Sequence, residues 1–422
     1  MQLQPRSTML LRHPLVIARA LIRQSPLKCS HRAFSETSLV SFTPFTETDK
    51  TDLLNRPSRT YHDLLTSTPH DILNATLDGY LPPLKEELRR GTSALPPGHH
   101  LVYFPLCVPE RELARDGYDL ITAPPEPWRH RLWTGGKMSF DQSLHLSANS
   151  PMPMRMEEMI KDVTIDTRTG SGTAHEENSI SKLTVHVERS IYSTPTSASA
   201  STSVLTPAIT ELRSITYIRS TPPLPPPRTL RSPSSQFDFE HHIPPTTQTL
   251  LFRFSALTMN AHHVHHGSGS EGWGRPLVHG PLQALLLLEV VGRHLSGSEG
   301  GLGKEGLKVK GFEYRCLQPL FVGEGLTVRG RWKGKKESEK KERLEVWGET
   351  VERGLVLRGV VEVGETEAEP DNVIRVVDAT DCEEQLCGVT LMVSTNKADA
   401  EGRLKPRETW IRLHMELEDV VV

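Results

Sequence analysis

Asn260 and His265 stand five positions apart in the stretch TMNAHHVHHG, an amide that can orient a small polar group and an imidazole that can move a proton. Further along, His279-Gly280-Pro281 opens the apolar run LQALLLLEVV. Proline suits a first helical position, so Gly280 is placed at a helix start, where its N–H lacks an intrahelical partner and lies at the positive end of the dipole. Glycine there also lets a carbonyl oxygen come close. His279 is expected to shape this turn or to touch a substrate. Adding or removing water beside a thioester carbonyl needs a base for water, an acid for Cα and support for an enolate-like oxygen. His265 is the candidate base and acid, Asn260 the candidate for holding water or a β-hydroxyl, and Gly280 the candidate oxyanion donor.

The histidines at 262, 263, 265 and 266 also suggest metal ligands. No cysteine or paired acid stands beside them, and alternate side chains of an extended loop point apart, so no metal is expected. The formal net charge of −3 gives no general attraction to nucleic acid. No apolar run reaches the roughly 18 residues of a membrane span, and the longest contains Glu289, so no stable membrane insertion is expected. The five cysteines are scattered and odd in number, which fits free thiols better than a disulfide framework.

These chemical parts must be positioned by surrounding elements. Residues 1–34 are rich in arginine, contain apolar runs and have no acid, the pattern of a mitochondrial transit peptide, with Arg32-Ala-Phe-Ser35 resembling a processing site after Phe34. A mixed region, 50–220, contains the strand-like pieces 183–192 and 211–220. Between these pieces lies a Ser/Thr-rich low-complexity insertion, 193–207. Residues 221–245, with their proline run, read as a linker. In the second unit, 246–365, the segment Leu251–Leu257 alternates Phe252, Phe254 and Ala256 with Arg253 and Ser255, which predicts a half-buried strand. Leucines cover nearly every face of the helix that follows Pro281, so that helix is expected to be enclosed. Strand-rich pieces at 307–322, 326–334 and 344–363 follow, with the charged stretch GKKESEKKER as a solvated hairpin tip. An apolar helix followed by antiparallel strands predicts an α+β layout with a sheet wrapped around the helix. Residues 366–422 show no such pattern and read as a variable tail.

The phrase FRFSALTMNAHHVHHG…LVHGPLQALLLLE resembles the second half of the MaoC-like double hot-dog (R)-enoyl hydratases, including the mitochondrial hydroxyacyl-thioester dehydratases type 2 and mesaconyl-type hydratases. HHLVYFPLCVPERELARDGYD followed by PWRHRLWTGGKMSF is similar to their first half, with Trp133-Thr134-Gly135-Gly136 read as turn and packing residues. The resemblance implies two antiparallel sheets, each wrapped around a central helix, with a non-catalytic first unit lining the acyl pocket. It implies a mitochondrial matrix dehydratase for (R)-3-hydroxyacyl thioesters carried on CoA or acyl carrier protein. No cofactor is implied, because the phosphopantetheine arm belongs to the substrate, and a homodimer is compatible with the layout. Two departures stand out. Many relatives have Asp where this chain has Asn260, and an acid after the histidine where this chain has His266-Gly267. The alternatives are a hydratase of mesaconyl- or itaconyl-type CoA, with Arg131, Arg253 and Arg275 as candidates for a second carboxylate, or a non-catalytic acyl-binding protein.

Overall fold

The computed structural model describes residues 45–82, 94–128, 130–146, 151–167, 180–193, 206–218, 229–267, 273–296, 307–333, 342–365, 372–383, 386–398 and 404–416. The transit-type leader, most of the Ser/Thr-rich insertion, the proline run 221–228 and most of GKKESEKKER lie outside the described residues.

Ten antiparallel strands form one sheet in two halves of identical wiring. In the first half the order is β1 (Arg59–Leu65), β3 (Met152–Thr167), β4 (Ile180–Ser193), β5 (Ile209–Ile218) and β2 (His130–Phe140). In the second half, read from its outer edge inward, the order is β6 (Phe239–Ile243), β8 (Leu326–Trp332), β9 (Glu342–Thr350), β10 (Gly354–Glu365) and β7 (Leu307–Cys316). Each half therefore places its five strands in the order first, third, fourth, fifth, second. This is the double hot-dog arrangement, and its two sheets are continuous because β2 pairs with β7 from Gly135↔Arg315 to Ser139↔Gly311. The Trp133–Gly136 phrase thus lies inside a strand at the seam and is not a turn.

Apart from α1, the helices described occupy the interval between the first and second strands of each half. Helix α1 (Glu47–Leu54), boxed by Thr46 and Asp49, precedes β1, and α2 (Ser67–Leu77) follows it. The second half carries α3 (Gln248–Thr258) and the long α4 (Gly280–Leu295). Helix α4 starts with Pro281 in its first turn and ends with Arg293 and His294, cations suited to the negative end of the dipole. Leu282, Leu285, Leu286 and Leu287 are fully buried, each worth about 1.5–3 kcal/mol of transfer free energy. The core around them includes Leu73 and Leu77 of α2, Leu101 and strand residues from both halves.

Glu289 is the acid inside this apolar helix, and a one-way chain of donors reaches it. Asn74 Nδ2 lies 2.9 Å from His70 Nε2, His70 Nδ1 lies 2.7 Å from His99 Nδ1, and His99 Nε2 lies 2.6 Å from Glu289 Oε1. A donating amide and two neutral imidazoles satisfy every contact in that chain. On the opposite side Arg293 lies 3.3 Å from Glu289 Oε2. Burial raises the Glu289 pKa, but His99 and Arg293 outweigh it and hold the carboxyl below its usual range.

Two expectations need correction. Residues 251–257 are helical: Thr247 Oγ1 accepts from Leu250 N at 3.1 Å, and Leu250, Leu251, Phe254 and Ser255 form one buried stripe. Phe252, assigned to the buried face of a strand, is instead 64% exposed. A short apolar run satisfies both periods, and here the helical spacing of 250, 251 and 254 won. The stretch 221–245 is not wholly a linker, since Phe239–Ile243 pairs with β8 as the edge strand of the second half. Residues 366–422 include an antiparallel meander, β11 (Asn372–Glu383), β12 (Leu386–Ala398) and β13 (Leu404–Glu416).

Replacing Glu289 with Ala strands the buried His99 N–H and removes the acid facing Arg293, which keeps its bond to the Pro82 carbonyl, so Glu289→Ala should cost about 3–5 kcal/mol of unfolding free energy. Denaturant titration checks this, and a loss below about 1 kcal/mol would contradict the relay described above.

Candidate active site

The loop between α3 and α4 is folded by its own polar groups. Met259 ends α3 in the left-handed region at φ 49°. Asn260 N then donates to Ser255 O at 2.9 Å, while Asn260 Oδ1 accepts from His262 N at 3.0 Å. Because a backbone N–H can only donate, the amide orientation is fixed, and Asn260 Nδ2 remains available as a donor. A 3-10 turn, His263–His265, follows. Leu277 N donates to Val264 O at 2.8 Å, which ties this turn to the segment leading into α4.

His265 Nδ1 lies 2.8 Å from Leu277 O, so Nδ1 carries the proton and Nε2 keeps the lone pair. Burial pushes the His265 pKa down to about 3, only partly offset by the Leu277 carbonyl. The sequence suggests an imidazole titrating near neutral pH. The structure instead gives a neutral imidazole whose lone pair is available over the whole physiological range. Behind it His279 stacks ring on ring, with centroids 3.6 Å apart, and its Nε2 lies 2.9 Å from Ser255 Oγ. His279 is fully buried and is not among the residues lining the cavity, a placement that fits the first of its two expected roles, shaping the turn. Burial also holds its pKa well below 6.5.

Asn260, His262, His265, Gly280 and Gln283 line one cavity of about 480 Å³. Its opposite wall comes from the first half and includes Arg131, Trp133, Glu158 and Arg189. Gly280 is the first residue of α4, and a Cβ built there would lie 2.5 Å from the Trp133 ring. Trp133 is itself held by a hydrogen bond from Nε1 to Tyr314 Oη at 2.8 Å. The helix start is therefore pressed against the seam strand, and only glycine fits. A neutral base, an amide donor and an open helix start on one cavity can abstract a proton, hold a hydroxyl or water, and support an oxyanion.

Comparison with known proteins agrees with this chemistry. A family model described as hydroxyacyl-thioester dehydratase type 2 matches residues 98–322. The chain belongs to that family. Its activity class is accordingly that of a hydro-lyase, a dehydratase or hydratase. Hydroxyacyl-thioester dehydratase type 2, mitochondrial, from Schizosaccharomyces pombe is 29% identical over 63% of this chain and 87% of its own length. Mesaconyl-C(4)-CoA hydratase from Chloroflexus aurantiacus is 29% identical over 54% of this chain and 72% of its own. A crystal structure of a MaoC-like dehydratase from Phytophthora capsici matches at 14% identity and a TM-score of 0.47, covering 75% of this chain and 99% of that one.

Of the three arginines considered for a second carboxylate, only Arg131 lines the cavity of this family member. Arg253 NH1 donates to Ala75 O at 3.2 Å, and Arg275 NH2 lies 2.6 Å from Glu324 Oε1. Among the described residues no three His, Cys, Asp or Glu side chains converge as a metal site. Sequence reasoning missed two residues. Gln283, the polar member of the apolar run, lies one turn from Gly280 and bonds Val278 O at 3.0 Å. Asp116 approaches His262 from the first half, and its one local signal was the Asp-Gly turn dipeptide.

Two outcomes follow. With His265 neutral, kcat/KM should stay flat from about pH 8 to about pH 5, because a base with a lowered pKa loses activity only when protonated at still lower pH. An acid limb centred near the ordinary histidine value in the pH–rate profile would contradict this. Gly280→Ala should destabilise the fold by about 1–3 kcal/mol through overpacking against Trp133, measurable by thermal melting.

Proposed function

We propose that this chain dehydrates (R)-3-hydroxyacyl thioesters to trans-2-enoyl thioesters, and hydrates them in reverse. The observation that carries the reading is the buried His265, held neutral with Nδ1 on the Leu277 carbonyl, on the same cavity as Asn260 and the start of α4. The thioester carbonyl is received at Gly280 N–H. His265 Nε2 removes a Cα proton, the electron pair forms the Cα–Cβ double bond, and the β-hydroxyl leaves. The same imidazole returns the proton to that hydroxyl, so water departs and the ring is again neutral. Asn260 Nδ2 holds the hydroxyl oxygen by a hydrogen bond. An amide takes no proton, so this scheme uses a single base.

The reading extends to a carrier-protein thioester in mitochondrial fatty-acid synthesis, in the matrix. It is supported by the arginine-rich, acid-free residues 1–34 and by the Schizosaccharomyces pombe relative, whose name carries the word mitochondrial. Both walls of the cavity come from one chain, and a homodimer is compatible with the layout.

A dicarboxylyl-CoA substrate would require a cation for its second carboxylate. Each arginine on the cavity already faces an acid: Arg131 with Asp116 at 3.2 Å, Arg189 with Glu158 at 2.6 Å and Arg213 with Glu211 at 2.7 Å. Lys182 also lines the cavity but is exposed to solvent, so the paired arginines favour an uncharged acyl group.

The test is turnover of crotonyl-CoA and a longer trans-2-enoyl-CoA by protein lacking residues 1–34. The parent should hydrate at least one, and His265→Ala should lose about 10²–10⁴-fold in kcat, the range of general acid–base catalysis. Asn260→Ala should lose less. A folded parent inert toward CoA, carrier-protein and dicarboxylyl thioesters would overturn the reading in favour of a non-catalytic acyl-binding protein.

A further inference from the structure

His262 uses four polar groups, and two of them hold the residues assigned to the chemistry. Its N–H donates to Asn260 Oδ1 at 3.0 Å, and its C=O accepts from His265 N at 3.1 Å. Its ring Nδ1 accepts from Val264 N at 3.1 Å, which places the ring proton on Nε2. Nε2 faces Asp116 Oδ2 at 3.2 Å, and the same oxygen lies 3.2 Å from Arg131 Nε. Neither contact is aligned as a hydrogen bond, so the attraction is that of a carboxylate for the dipole and the charge facing it.

The two halves meet closely at this point. His263 N donates to Asp116 O at 2.8 Å. Gly117, at φ +80°, lies so near the 260–263 loop that a Cβ built on it would be 2.3 Å from Ala261 O. The side chains of Asp116, His262 and Arg131 are only 10%, 5% and 8% exposed, so water screens little of their interaction. Burial raises the Asp116 pKa, yet His262 and Arg131 outweigh it and hold the group as a carboxylate.

We infer that Asp116, contributed by the first half, is a positioning residue that acts through His262 to set Asn260 and His265 at their working separation. The inference rests on the lyase reading above. It also gives the first half a part in the chemistry beyond lining the pocket. The chain lacks an acid after His265, and Asp116 supplies a carboxylate to the same loop from elsewhere in the fold.

The test is a double-mutant cycle on the full chain with Asp116→Asn and His262→Gln, reading kcat and KM for the best enoyl thioester. Asp116→Asn should lower kcat about tenfold to a hundredfold with KM changed less than about twofold, as misplacement of catalytic groups does. The double variant should be no slower than His262→Gln alone, because the two residues act as a unit. Parental kcat in Asp116→Asn, or multiplicative losses in the double variant, would overturn the proposal. Should Asp116→Asn fail to fold, His262→Gln must show the same loss of kcat at constant KM. A parent without turnover would sink the lyase reading itself. The imidazole nitrogen NMR signals of His265 then decide the positioning question, and identical signals in parent and Asp116→Asn would overturn it.

Discussion

Helix α4 carries leucine or valine around its circumference, so it is stable only where protein surrounds it, and much of the architecture supplies that enclosure. The strands of the second half pack on it, α2 and the 3-10 turn at His99–Val102 share its core, and the seam strand β2 presses Trp133 against its first residue. Enclosure also dictates how the one acid in the run is tolerated. Glu289 needs partners where no water reaches, and His99 from the first half and Arg293 from its own helix provide them. The hydrogen bond from His99 to Glu289 thereby joins the two halves.

The same burial sets the chemistry of the loop ahead of the helix. An imidazole removed from water resists protonation, so His265 and His279 are both kept neutral. Neutral rings still need their N–H groups satisfied, and the Leu277 carbonyl takes that of His265. The stack of His279 on His265 then fixes the plane of the ring proposed as the base. A neutral imidazole needs no deprotonation before it can act as a base, but its placement depends on a loop that is tied down. Backbone bonds to Val264, Leu277 and Ser255 supply that rigidity.

How much of this was legible in the sequence depended on how local each signal was. The enclosed helix could be read because leucines at every angle admit no other placement, and Asn260, His265 and Gly280 because their residue types carry the chemistry themselves. The alternation across 251–257 misled because seven residues are too few to separate a period of two from one of 3.6. Proline dominated the composition of 221–245 and hid an edge strand that needs only the five residues Phe239–Ile243. The place of His279 behind His265, and the approach of Asp116 to His262, are created by tertiary packing between segments remote in sequence. No spacing rule reaches them.

Identical wiring of the two halves does not produce two equivalent sites, and the reason lies in the interval between first and second strands. In the second half that interval holds α3, the histidine loop and α4 in succession, so a helix start faces a loop that carries an imidazole. In the first half it holds α2, after which the described residues include only short 3-10 turns before β2. The first half lines the cavity with strand side chains and with residues of the 101–122 segment, and of its charged members Arg131, Glu158, Arg189 and Arg213 each face an opposite charge, while Asp119 and Lys182 also line it. Compensated pairs are polar yet impose little net field on the acyl group. Such pairs shape the cavity and hold the opposite loop in place, and the histidine loop facing a helix start, described in the second half, is what sets the two halves apart.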